Sequence, residues 1–124
     1  MKRLSYFLSA ILFVSALFHS CEKEEEFDES LLVGRWEAVS TSALFECYRY
    51  KSDHTGYTWN PSENQLETEG QEFTWRLVKS ELENLHIMEI GGVGIPEFVT
   101  ITELTASTLK YKDSFDSYSF RRMN

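Results

Sequence analysis

Cysteine is scarce in this chain: its 124 residues hold two, Cys21 and Cys47. If Cys21 has another use, no intrachain disulfide can form, because one thiol closes no bridge. Cys47 lies in an apolar, aromatic stretch and reads as a buried, inert thiol. Histidine is nearly as scarce. His19, His54 and His86 show no His-X-His or His/Cys spacing, so no metal site is expected. Positive charge is outnumbered, with 12 Lys and Arg against 20 Asp and Glu. A phosphate-binding surface needs a basic patch, and none stands out, so nucleic acid is not an expected partner. The segment Gly91-Gly92-Val93-Gly94 lacks the Gly-Lys-Ser/Thr of a phosphate loop and reads as a turn. There is no Gly-X-Ser-X-Gly, no paired Asp-Gly metal loop and no Cys/His pair. No catalytic residue and no cofactor is therefore expected, and the chain does not read as an enzyme. Beyond residue 18 no long apolar run occurs, and no segment sustains an amphipathic helix of three turns.

The first residues differ from all the rest. Lys2 and Arg3 precede an uncharged apolar stretch from Leu4 to Phe18. That is the length of a signal-peptide core and shorter than the roughly 20 residues of a spanning helix. A polar, acidic segment follows with no positive flank. Residues 1–20 are thus expected to be a cleaved export signal. The junction Leu17-Phe18-His19-Ser20-Cys21 resembles the lipobox of bacterial lipoproteins, where a small residue precedes an acylated cysteine. Phe18 and His19 stand where the tightest version has leucine and a small residue. The resemblance implies lipidation of Cys21 and a membrane partner through acyl chains, each buried methylene contributing about 0.8 kcal/mol. Twelve bases less Lys2 and Arg3 leave ten against 20 acids, a mature charge of −10. Residues 21–30 read as an acidic tether. They resemble the acidic tract behind the lipidated cysteine of surface-exported lipoproteins of Bacteroidota, though a plain acidic spacer has the same composition. The expected location is the cell envelope, as an outer-membrane lipoprotein.

Residues 31–124 suffice for one small domain. Their periodicity is that of strands. Tyr48 and Tyr50 alternate with Cys47, Arg49 and Lys51; Phe73, Trp75 and Leu77 with Thr74 and Arg76; Tyr118 and Phe120 with Ser117, Ser119 and Arg121. Strands are expected at about 33–41, 44–51, 55–59, 72–79, 83–90, 97–103, 107–113 and 117–123, with a helical turn at Asp28–Leu32. Ser52–Gly56 reads as a hairpin loop with Gly56 free to take positive φ. Residues 60–71 form a polar loop of the length that is often functional or mobile. Eight short sequential strands predict an all-β fold, a single antiparallel eight-stranded up-and-down β-barrel, because closure removes exposed edges.

Within this pattern, Gly34-Arg35-Trp36 resembles the Gly-X-Trp motif that opens the first strand of the lipocalins. The aromatic strand from Tyr48 to the Gly56 hairpin and the Leu104-Thr105-Ala106-Ser107-Thr108-Leu109 step are similar to small lipocalin-like lipoproteins of Bacteroidota. The resemblance implies barrel closure by Gly34, Trp36 and a late arginine packed over the tryptophan. Strand parity favours Arg122 for that place over Arg121. The chain is short and lacks the long C-terminal helix and disulfide of typical lipocalins.

The expected function is a non-catalytic binding module for a small apolar ligand or envelope component. Trp36, Tyr48, Tyr50, Tyr57, Trp59, Phe73 and Trp75 are the candidate ligand-lining residues. The alternative is a protein-interaction module, such as an inhibitor, immunity or envelope-assembly subunit, with these aromatics filling the barrel. In the fifth strand either Glu89 shares an inward face with Leu85 and Ile87, or His86, Met88 and Ile90 face inward and Glu89 is solvated.

Overall fold

The computed structural model describes residues 25–40, 42–88 and 94–124. A single helical turn, α1 (Glu29–Leu32), leads into eight strands. They are β1 (Gly34–Ala38), β2 (Cys47–Tyr50), β3 (Thr55–Trp59), β4 (Gln71–Val78), β5 (Glu81–His86), β6 (Ile95–Leu104), β7 (Thr108–Lys112) and β8 (Ser117–Arg122). Each pairs antiparallel with its sequence neighbour. The pairing of β1 with β8, Trp36 opposite Arg122 and Ala38 opposite Phe120, closes the barrel. Among the described residues, closure leaves no sheet edge open for pairing with another chain.

Alternation sends one face of every strand inward. The core is Trp36, Tyr48, Tyr50, Phe73, Trp75, Leu82, Val99, Ile101, Leu109, Tyr111 and Phe120, with Leu32 of α1 beneath it. In β6 the register slips between Ile101 and Glu103. That bulge inserts one residue, so Leu104 points inward beside Ile101 and Glu103 stays outside.

Several strand limits differ from expectation: β1 ends at Ala38, β2 begins at Cys47 and β5 ends at His86. Three further differences have local reasons. The β4–β5 turn falls at Lys79 and Ser80, where Lys79 takes φ 58°, so β5 begins at Glu81 rather than 83. Strand β6 begins at Ile95 and takes in Pro96, which sits opposite Leu85. The positive φ of the β2–β3 hairpin belongs to His54, at 66°, and not to Gly56. Gly56 lies in β3 for a different reason: a Cβ there would stand 2.2 Å from the Arg49 carbonyl and 2.5 Å from the Phe73 ring. The missing side chain makes room for that ring.

The segment 60–70 is folded onto the barrel. It forms two short 3₁₀ turns, Pro61–Glu63 and Glu67–Glu69. Asn60 accepts from the Glu46 amide at 2.9 Å, and Gln65 accepts from the Asn60 amide at 2.9 Å. Glu67 clamps Arg35 at 3.0 Å and Arg49 at 3.1 Å on the outer wall.

Candidate functional site

The two ends of the barrel are built differently. The base is where β1, β3, β5 and β7 start. Asp28 caps α1 by accepting from the Ser30 amide at 3.0 Å. Trp36, fully buried, donates its indole N–H to the Leu32 carbonyl at 2.8 Å. The Arg122 guanidinium lies over the Trp36 ring, 4.4 Å from its centroid. It also donates to the carbonyls of Leu31, Val33 and Ala106, so one side chain joins α1, the start of β1 and the β6–β7 turn. Gly34 has φ 146°, and a Cβ there would sit 2.0 Å from an Arg122 nitrogen. Both the backbone angle and the guanidinium require glycine at this position. Arg121 instead points outward and pairs with Glu37.

The mouth, at the other end, holds a polar cluster. Parity in β6 turns Glu97 inward with Val99 and Ile101. Its carboxylate accepts from Asn84 Nδ2 at 3.1 Å and from the Tyr48 hydroxyl at 3.4 Å, and it lies 3.3 Å from His86 Nε2. Asn84 also donates to the Tyr50 hydroxyl at 2.9 Å. His86 is 3% exposed and packs between Phe45 and Phe73, with centroid distances of 5.2 and 5.6 Å. Two buried atoms of this cluster, Asn84 Oδ1 and His86 Nδ1, have no partner. Burial, with the Glu97 charge next, pushes the Tyr48 and Tyr50 phenols well above their ordinary value. Burial alone leads for Tyr111, which is raised likewise.

The candidate lining residues divide between two faces. Trp36, Tyr48, Tyr50, Phe73 and Trp75 point inward and pack on one another at centroid distances such as 5.2 Å for Tyr50–Phe73 and 5.5 Å for Tyr50–Trp75. Tyr57 and Trp59 point outward, because Gly56 and Thr58 take the inward positions of β3. Trp59 is nevertheless buried on the outer wall beside Cys47, with Arg35 5.9 Å above its ring. Cys47 is a free thiol, pushed up to about 11 chiefly by burial and then by Glu37 and Glu46. It is a poor nucleophile there. Cys21, Glu89 and Ile90 lie outside the described residues. Of the others in that strand, His86 is inward and buried, while Ile87 and Met88 are exposed.

The most prominent hollows lie on the outside. One, about 580 Å³, runs between the 60–70 segment and the ends of β4 and β5, beside Gln65, Glu69, Glu72 and Met88. Two others reach candidate lining residues, one of about 110 Å³ beside Phe73 and one of about 410 Å³ beside Tyr50. Trp36, Tyr48, Asn84, His86 and Glu97 line none of these hollows. The inward-facing rings of Tyr48, Tyr50, Phe73, Trp75 and Phe120 contact one another across the interior.

No family model, curated protein or solved structure matches this chain.

The mouth is also where apolar surface collects. Among the described residues, nine large apolar side chains are exposed. Seven of them are at this end, Val39, Leu44, Leu66, Ile87, Met88 and Phe115 on the connections and Ile95 at the first position of β6. Phe115 is 91% exposed. The described residues of the connections at this end, 39–46, 60–70, 87–94 and 113–116, include Glu46, Glu63, Glu67, Glu69, Asp113 and Asp116 and no lysine or arginine. The base turns, by contrast, carry Lys51 and Lys79.

Asn84 and Glu97 were not singled out by sequence reasoning. The signal for Glu97 was present: Val99 and Ile101 alternate with Thr100 and Thr102, and the same parity carried back two residues turns Glu97 inward. Asn84 shares the inward parity of His86 in the same strand, so its signal was present as well.

Proposed function

We propose that this chain is a lipocalin-like lipoprotein of the cell envelope, tethered through Cys21, that works as a non-catalytic protein-interaction module through its mouth. The observation that carries the reading is the pairing of an interior of mutually packed rings with a one-sided surface. The aromatics that would line a ligand cavity contact each other. The apolar and acidic side chains that would meet a partner stand together on four neighbouring connections. Exposed apolar groups gathered at one site mark contact surfaces, whereas scattered ones need no explanation. The tether enters at the base, where Phe27 hydrogen-bonds to Lys79, so the mouth would face away from the anchoring membrane.

The test places a photo-crosslinking residue at Leu66 or Phe115 on the mouth, or at Val78 on the base, in intact cells. A protein adduct from the mouth positions and none from Val78 supports the reading. A hydrophobic fluorophore that enters the folded barrel stoichiometrically, without mouth adducts, would return the function to small-ligand carriage. Anchoring is tested separately by Cys21→Ser, which should abolish palmitate labelling and membrane fractionation.

A further inference from the structure

Glu97 is a carboxylate set inside the mouth, its side chain 19% exposed, with no lysine or arginine among the described residues as its ion partner. Among the described residues its basic neighbour is His86. His86 Nε2 faces the carboxylate at 3.3 Å, and Nδ1, on the other side of the ring, has no partner. Asn84 Oδ1 has none either. The cluster thus leaves polar capacity unused beneath a negative charge, and Glu97 is its part-exposed member. Aromatic rings flank the cluster: Phe45 lies 5.9 Å from Tyr48 and 5.2 Å from His86. Carboxylate and ring faces together are the chemistry that holds an ammonium or guanidinium group.

We infer that the mouth receives a lysine or arginine side chain of a partner polypeptide, its cation seated on Glu97 and its flanking apolar residues on the rim. The inference rests on the interaction-module reading and names the partner's chemistry. Charge complementarity favours a polypeptide with a basic residue among apolar ones: the mouth connections are acidic, with no lysine or arginine among their described residues. The same acidity disfavours an anionic bilayer. A free small amine would leave Ile95 and Phe115 uncovered.

The test uses the full chain in a non-ionic detergent and a synthetic peptide alternating leucine and lysine. Controls are the same peptide with acetylated lysines, and n-butylamine alone. Binding is read by isothermal calorimetry and by the side-chain resonances of His86 and Asn84. The expected result is saturable binding of the lysine peptide that shifts both resonances. Acetylation, or Glu97→Gln, should weaken it about tenfold or more. Rim variants Ile95→Ser and Phe115→Ser should weaken it too. Weakening by the rim variants but not by Glu97→Gln or acetylation overturns the cation seat and leaves the interaction module standing. No binding, or binding indifferent to every variant, overturns both. Butylamine binding as tightly as the peptide would assign a small-amine site and overturn the polypeptide. The resonance readout in the unchanged chain decides the matter if Glu97→Gln fails to fold.

Discussion

The base and the mouth of this barrel are made from the same eight strands, yet they treat inward-facing polar groups in opposite ways. At the base the indole of Trp36 and the guanidinium of Arg122 all find partners, and carbonyls from α1 and two connections are consumed by them. At the mouth Asn84 and His86 are at least as deeply buried as much of the core, and each keeps an atom without a partner. The remaining unpartnered buried atom among the described residues, Arg35 Nε, belongs to the outer wall. Satisfied networks hold a fold together, and partly satisfied ones mark places where stability has been given up. The base is therefore the structural end and the mouth the end left available.

The sharpest way to break that contrast is to remove the plug. Trp36→Ala should cost about 3–5 kcal/mol, since a fully buried ring is deleted and its surroundings collapse only in part. For a domain of this size the fall in Tm should exceed about 12 °C. A shift of only a few degrees in calorimetry would mean that the base is no more structural than the mouth.

Alkaline titration probes the packed middle between the ends. Tyr48, Tyr50 and Tyr111 hold their protons in the fold well above the ordinary phenol value, while the unfolded chain releases them there. Their contribution is complete below that ordinary value and is lost as pH rises beyond it. Each costs about 1.4 kcal/mol per pH unit climbed. The Cys47 thiol, at about 11, acts with the same sign between pH 9 and 11. Absorbance at 295 nm should show these three phenols ionising together with loss of near-UV dichroism. Gradual ionisation in a folded barrel would show the interior to be open.

Arg122→Met tests the base more gently. It keeps apolar cover over Trp36 but loses the cation and its carbonyl contacts, and should cost about 2 kcal/mol in urea unfolding. Arg122→Lys should recover little, because a single ammonium cannot span three carbonyls from separate segments. Full recovery by lysine would reduce the role of Arg122 to charge alone.

Most of the barrel was legible because period-two alternation is a local signal. The strand pairs and the closed topology follow from it, as does the inward face of Tyr48, Phe73 and Phe120. What was not legible came from non-local sterics. Gly56 looks like a turn residue until the Phe73 ring is seen against it, and that choice is what turns Tyr57 and Trp59 outward. The 60–70 segment looks like a free polar loop, but Glu67 meets Arg35 and Arg49 from two other strands. The base was readable from Gly34, Trp36 and Arg122. The mouth cluster was not, since Asn84 and His86 on one strand and Glu97 on another resemble ordinary solvated residues one at a time.

The smallest expected effect is at the mouth. His86→Phe retains a ring between Phe45 and Phe73 and removes the unpartnered Nδ1, at the expense of the 3.3 Å contact with Glu97. Glu97 keeps Asn84 and Tyr48 as donors. Removing an unsatisfied buried group offsets losing one hydrogen bond, so stability should change by less than about 1 kcal/mol in either direction. Leu32→Ala at the base, a smaller side chain in an equally buried place, should cost about 2–5 kcal/mol. If the two variants unfold at the same urea concentration, the polar cluster is holding the barrel together, and the mouth is as structural as the base.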